Sequence, residues 1–273
     1  MIRGFATLPI HLGKLRSWRS LPDQSIVSEA TLPFDAPHAR RYADCVAWPH
    51  ESVHPLYPYA LLTPVHFALV SQRAFPMFPL GLLHKAEAIG VHRVLKAGLW
   101  TFRSTLGRFA RHAAGVDFTI ETDLFIDGER AWSSSTTACK KTTSSRRHRE
   151  DERLAEKVPP RDREHVHIGP EKGLQYGTIS KNIDPIHLHT LTARPFGHPR
   201  PLIHGMWTAA RAVSAWRGSP DVRRVGVRFH APIHFPTDVS IVHLEGEVIV
   251  APVDLSKRYV TVTPTPSHGE ATS

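Results

Sequence analysis

The strongest constraint on the fold is an order of predicted elements that runs through the chain twice. In the first half, a strand-like segment from Ser25 to Phe34 leads into a helical stretch, DAPHARRYADCVAW. Asp35 suits its N-cap and Ala36-Pro37 its first turn. A second helix opens at Thr63-Pro64, with Thr63 as N-cap and Val65, Ala68, Leu69 and Gln72 at helical spacing. It is mostly apolar, which predicts burial on several sides, and Phe75-Pro76 and Phe78-Pro79 close it off. Four strand-like segments follow, Leu82 to Val91, Leu99 to Leu106, Val116 to Ile126 and Arg130 to Cys139. Asp127-Gly128 between the last two is a strong hairpin signal. A helix followed by antiparallel strands predicts an α+β unit with the helix packed on a curved sheet.

The second half repeats this order. HVHI reads as a short strand and GLQYGTIS as a helix, with Tyr176 placed as Tyr42 is in RRYADCVAW. A small-residue helix from Gly205 to Trp216 parallels the one from Pro64, and VGVRFHAPIHFPTD parallels AEAIGVHRVLKAG. Val239 to Val250 reads as one strand and Arg258 to Pro264 as another. His268-Gly269-Glu270 then stands where Asp127-Gly128-Glu129 stands in the first half, so the last strand is expected to be a truncated stub. The predicted organisation is a tandem duplication: residues 1–139, a charged linker over 140–163, and residues 164–273.

Hydrophobic residues are 41% of the 273 and charged residues 22%, which excludes a disordered chain. The net charge of +9 favours anionic partners without choosing among them. The RRHR cluster offers a phosphate contact, but Asp and Glu interleave with the Arg residues of 146–163, so a solvated linker is preferred to a nucleic-acid site. No run approaches the ~18 apolar residues of a spanning helix, and MIRGFATLPIHLGKLRSW has no signal-peptide core. Cys45 and Cys139 are isolated and read as reduced. The expectation is a soluble, cytoplasmic protein with no membrane or nucleic-acid partner.

Chemistry concentrates in YGTISKNIDPIHLHTLTARPFGHPRPLIHGM, Tyr176 to Met206. Pro185 forces Asp184 into an extended conformation, so an irregular loop is predicted there. Asn182, Asp184 and His187 place an amide, a carboxylate and an imidazole close together, enough to position a water and move a proton. His204-Gly205-Met206 opens a helix whose first N–H groups lack internal partners, and such an end can hold a developing oxyanion.

This stretch resembles the signature segment of the MaoC-like (R)-specific enoyl-thioester hydratases and dehydratases. Tyr176, Ser180, Pro185, Ile186, His187, Ala193, Phe196, Gly197, His204, Gly205 and Met206 fit the family pattern. A degenerate first repeat, a charged linker and a motif-bearing second repeat resemble the family's double-hotdog members. The resemblance implies an α+β tandem hotdog, each repeat a curved antiparallel sheet wrapped around a central helix. It implies addition of water to a trans-2-enoyl thioester, or its removal from an (R)-3-hydroxyacyl thioester, without metal or cofactor. The partner implied is an acyl-CoA or acyl-carrier-protein thioester, with a homodimer optional.

By the same resemblance, His187 is the acid/base, Gly205 the oxyanion donor, and Tyr176, Ser180, Phe196, His204 and Met206 line the substrate. The family's catalytic Asp falls at Asn182 and its Asn at Asp184, and an amide takes no proton at neutral pH. Three outcomes stay open. Asp184 serves from its shifted position with Asn182 orienting the water, His187 works alone, or the chain binds thioesters without turning them over. The first repeat offers only His50, Glu51 and His54 and no comparable spacing. It is read as a structural half contributing to an acyl tunnel, with Phe67, Phe75 and Phe78 in its core.

Overall fold

The computed structural model describes residues 26–79, 81–141, 154 and 159–266. Five strands come from the first half: β1 (Val27–Pro33), β2 (Leu82–Val91), β3 (Leu99–His112), β4 (Gly115–Ile126) and β5 (Glu129–Lys141). Five come from the second: β6 (Arg163–Ile168), β7 (Val222–Phe229), β8 (Thr237–Leu244), β9 (Glu247–Pro252) and β10 (Val260–Pro266). The helices are α1 (Ala36–Cys45), α2 (Tyr57–Ala60), α3 (Thr63–Ser71), α4 (Pro170–Ser180), α5 (Thr190–Ala193) and α6 (Gly205–Ser214).

All the strands join one ten-stranded sheet in the order β1-β3-β4-β5-β2-β7-β10-β9-β8-β6. Read outward from the centre, each half has the same order, so β1 matches β6, β2 matches β7, and β3, β4 and β5 match β8, β9 and β10. The halves meet along an antiparallel seam of β2 and β7, with Ala88 opposite Gly226. This is the tandem hotdog that the resemblance implies, with the duplicated element order read from the sequence.

Local chemistry accounts for the boundaries. Asp35 caps α1 by accepting from the His38 N–H at 2.9 Å. Asp127 and Gly128 both take positive φ, 51° and 86°, the left-handed pair that a right-twisted two-residue hairpin needs. At α3 the start lies one residue earlier than expected: Leu62 is the N-cap, Thr63 is helical, and no side chain caps the turn.

Two sequence expectations are corrected. Val239 to Val250 is two strands, because the chain reverses at Glu245-Gly246, where Gly246 takes φ +72°. Reading it as one strand left the second half a strand short and suggested the stub. The fifth strand, β10, is present and paired on both sides, to β7 and β9, though shorter than β5. The turn matching Asp127-Gly128 therefore lies between β9 and β10, and His268-Gly269-Glu270 lies outside the described residues. Phe75 is buried as expected and Phe78 is half-buried, whereas Phe67 is 46% exposed, on the outer side of α3.

The largest core cluster runs through both halves, from Tyr42, Trp100 and Trp132 to Trp207, Ala209 and Val213. Alanines at 209, 210 and 212 are fully buried, so the backbone of α6 sits close to its neighbours. Polar atoms tie the halves together: the Trp207 indole N–H donates to the Cys45 carbonyl at 3.1 Å, and His54 Nε2 donates to that of Ala210 at 3.2 Å. Cys45 and Cys139 are free and buried. Among the described residues no helix is long and apolar enough to cross a membrane.

Candidate active site

The site is a loop, 181–204, clamped between α4 and the start of α6. Lys181 ends α4 in the left-handed region, φ 54°, and turns the chain back along the helix. Gly173 and Gly177 make this return feasible, since residues four apart share one helix face. A Cβ at Gly173 would lie 2.6 Å from the His187 carbonyl oxygen and 2.7 Å from the Phe235 ring. One at Gly177 would lie 2.9 Å from the Asn182 carbonyl oxygen.

Asp184 is extended, φ −56° and ψ 132°, as Pro185 requires, and the chain then makes a single 3-10 turn over Pro185–His187. One Asp184 carboxylate oxygen accepts from the Ile186 N–H at 3.3 Å, capping this turn. Thr192 donates to the Pro185 carbonyl at 2.7 Å, and the Leu202 N–H donates to that of Ile186 at 2.9 Å. The loop is therefore fastened at both ends.

His187 Nδ1 lies 2.7 Å from the Leu202 carbonyl oxygen. A carbonyl only accepts, so Nδ1 carries the proton and Nε2 presents a lone pair. Burial lowers the His187 pKa, partly offset by the Leu202 bond and the Asp184 charge. The ring is thus a neutral base with a fixed tautomer. His204 stacks on it, with centroids 3.7 Å apart and planes at 27°. Its Nε2–H donates to the Asn182 carbonyl at 2.9 Å, and its buried Nδ1 has no partner. Burial, and then His187, push the His204 pKa down to about 3. The Tyr176 ring lies 5.1 Å from His204 and 6.2 Å from Tyr42, so the two tyrosines matched in sequence meet between the halves.

His204 is the N-cap residue of α6, and Gly205 opens the helix. The Phe229 ring lies where a Gly205 Cβ would come within 2.9 Å of it. The helix start is thus bare of side chain and walled by Phe229. Its leading N–H groups, with the positive end of the helix dipole, suit a polarised carbonyl oxygen.

Of the residues singled out in the sequence, the fold brings Asn182, His187, His204, Tyr176 and Gly205 together. Asn182 joins through its backbone carbonyl, and Asp184 stands beside His187 as a turn cap. Ser180 spends its hydroxyl on the Tyr176 carbonyl at 2.8 Å, Met206 is core, and Phe196 is 43% exposed on a surface turn. Of the first repeat's histidines, His54 is buried against Trp48 and Tyr42 and its ring nitrogens are taken by backbone, a packing role. The Gly173/Gly177 clamp was not recognised in the sequence. Its signal was there, since each helix-interior Gly costs about 1 kcal/mol against Ala and calls for a packing reason.

The fold defines a double hotdog, the architecture shared by the MaoC-like dehydratase structures that the chain resembles. No protein-family model matches the chain. It is 27% identical over 232 residues, 83% of this chain and 82% of the relative, to 3-hydroxyacyl-thioester dehydratase X of Mycobacterium tuberculosis. A crystal structure of HtdX from that bacterium aligns with a TM-score of 0.73 at 24% identity, covering 88% of this chain and 99% of that one. A MaoC-like dehydratase from Phytophthora capsici aligns at 0.68 with 17% identity, covering 90% and 97%.

Proposed function

We propose that this protein interconverts trans-2-enoyl and (R)-3-hydroxyacyl thioesters, on CoA or an acyl carrier protein. The observation that carries the reading is the fixed His187 tautomer, its basic Nε2 free, on a loop fastened beside the bare helix start at Gly205. In the hydration direction, the Gly205 N–H binds the thioester oxygen. His187 Nε2 takes a proton from water as the water oxygen bonds to Cβ. The electron pair of the Cα–Cβ double bond moves toward the thioester oxygen, and the imidazolium then protonates Cα. Dehydration is the reverse. One imidazole carries both transfers, Asp184 supports its charge, and Asn182 holds His204 against it and orients the water. The likeness to a named 3-hydroxyacyl-thioester dehydratase and the matching fold support this assignment.

The first half is the degenerate repeat and the second carries the site, so no second copy of the chain is needed to complete it. The free thiols of Cys45 and Cys139 support a reducing, cytoplasmic setting. The test is loss of enoyl absorbance on mixing purified protein with crotonyl-CoA and longer enoyl thioesters. Turnover is expected, and His187→Ala should lower it ~100- to 10,000-fold. Absence of turnover at every chain length, on both CoA and carrier protein, refutes the assignment. Asn182 supports a second reading, a thioester-binding homologue with an impaired catalyst.

A further inference from the structure

The interior of the first repeat is less uniformly apolar than its helix composition suggested. Its core splits into two apolar clusters, one around Tyr42, Trp100 and Trp132 and the other around Leu69, Phe75 and Phe118. Buried polar side chains cross the sheet between them. Ser104, Thr122 and Ser134 stand in register on β3, β4 and β5, and Glu87 on β2 stands opposite Thr136. In the second repeat the matching inner face is Val225, Val227, Val248, Val250, Val260 and Val262.

The centre of the polar layer is Glu87, 2% exposed. Its Oε2 accepts from Thr136 at 2.7 Å and from His84 Nε2 at 3.0 Å. Oε1 makes no hydrogen bond, and neither does the buried Ser134 hydroxyl, although that hydroxyl is near enough to favour the carboxylate. Burial raises the Glu87 pKa, and a buried carboxyl group whose second oxygen has no hydrogen bond calls for an explanation, of which service to a site is one. His84 is the member that reaches outward, its side chain 24% exposed. Nε2–H also faces the Ala86 carbonyl at 3.1 Å, which leaves Nδ1 as the outward nitrogen. The ring lies 4.6 Å from that of Phe229, which in turn walls the helix start at Gly205. The Phe229 ring therefore adjoins both the proposed oxyanion donor and an imidazole that Glu87 holds.

We propose that His84, held by Glu87 and Thr136, is a binding site for a hydroxyl group on the acyl chain, beyond the reacting Cα and Cβ. This rests on the hydratase assignment and specifies its substrate class. An alkyl chain running past Phe229 would meet the His84 ring and leave its outward nitrogen unpaired. With Nε2–H held by Glu87 and the Ala86 carbonyl, Nδ1 presents a lone pair, and a hydroxyl at that depth donates to it.

The test compares kcat/KM for trans-2-enoyl-CoA thioesters of one length, plain or carrying a single hydroxyl at successive carbons from C5 outward, with the oxo analogues as controls that cannot donate to Nδ1. Wild-type protein should prefer one hydroxylated position by about tenfold or more, since a site built to hydrogen-bond rejects the analogue lacking the group. His84→Phe should abolish the preference while keeping turnover of the plain thioester, and Glu87→Gln should weaken it. Melting curves establish that each variant is folded. Turnover with no preference at any position, or a preference that survives His84→Phe, overturns the inference and leaves the hydratase assignment standing. No turnover of any thioester removes both.

Discussion

Replacing Gly173 by Ala tests how closely catalysis depends on the clamp between α4 and the site loop. As a helix-interior substitution it should be favourable, by about 1 kcal/mol of propensity. Its Cβ, however, falls 2.6 Å from the His187 carbonyl oxygen and 2.7 Å from the Phe235 ring, where ordinary contacts begin well above 3 Å. The first obstacle is backbone of His187, the residue proposed as the base. Relief requires the loop to move outward by several tenths of an ångström to about 1 Å, and overpacking of this kind costs ~1–3 kcal/mol. The propensity gain offsets part of that, so net stability should fall by no more than about 2 kcal/mol. The activity loss should be larger than the stability loss implies, because a ~1 Å misplacement of a catalytic group costs about 100-fold. Gly177→Ala is the graded comparison, since its Cβ meets the Asn182 carbonyl at 2.9 Å and the His204 ring only at 3.5 Å. Enoyl-CoA hydration rates set beside melting temperatures should rank wild type above Gly177→Ala above Gly173→Ala, with both variants folded. Activity within twofold of wild type in both would refute the clamp.

Two further outcomes follow from the buried imidazoles and the exchanged motif. His54 and His204 are buried and burial pushes each pKa down to about 3, so below the ordinary histidine value the unfolded chain takes up protons that the native fold does not. Their contribution is complete above about pH 6.5 and falls with pH through the range down to about 3, by roughly 4 kcal/mol for the pair at about pH 5. Denaturant melts across this window check it, and a flat profile contradicts it. Asn182→Asp restores the carboxylate of the family pattern, and hydration should rise by ~100-fold or more if the native site is impaired. An unchanged or lower rate shows that His187 already works without that carboxylate.

Much of this architecture is legible in the residues, and the gaps have physical causes. Leu82–Val91 and the Asp127-Gly128 reversal appear where the pattern places them, because alternation and a left-handed residue pair leave few other conformations. The Glu245-Gly246 reversal was missed because VHLEGEVIV continues its alternation through the turn, and a lone Gly in a strand pattern also signals a bulge. β5 runs to Lys141, two residues into the segment read as linker, since ladder pairing with β4 outweighs lysine's weak strand preference. In the site, sequence spacing placed Asp184 and His187 on one loop and Gly205 at a helix start. It did not reveal which atoms are free: the Leu202 carbonyl that sets the His187 tautomer and the Asn182 carbonyl that holds His204 are backbone groups that any residue supplies.

The divergence of the two halves is itself an argument about how the protein works. Each half has the same strand order around a central helix, so the fold does not require them to differ inside. The inner sheet face of the second half is packed with valine against the alanines of α6, a close packing that holds the helix in place. The first half carries a buried carboxylate, imidazoles and hydroxyls on the corresponding face, and each such group costs stability unless paired. A half retained only as scaffold would gain by replacing them with apolar residues, as the second half does. His84 among them stands against Phe229, which also walls Gly205, and the proposed recognition of an acyl-chain hydroxyl is a task that would account for their retention where scaffolding does not.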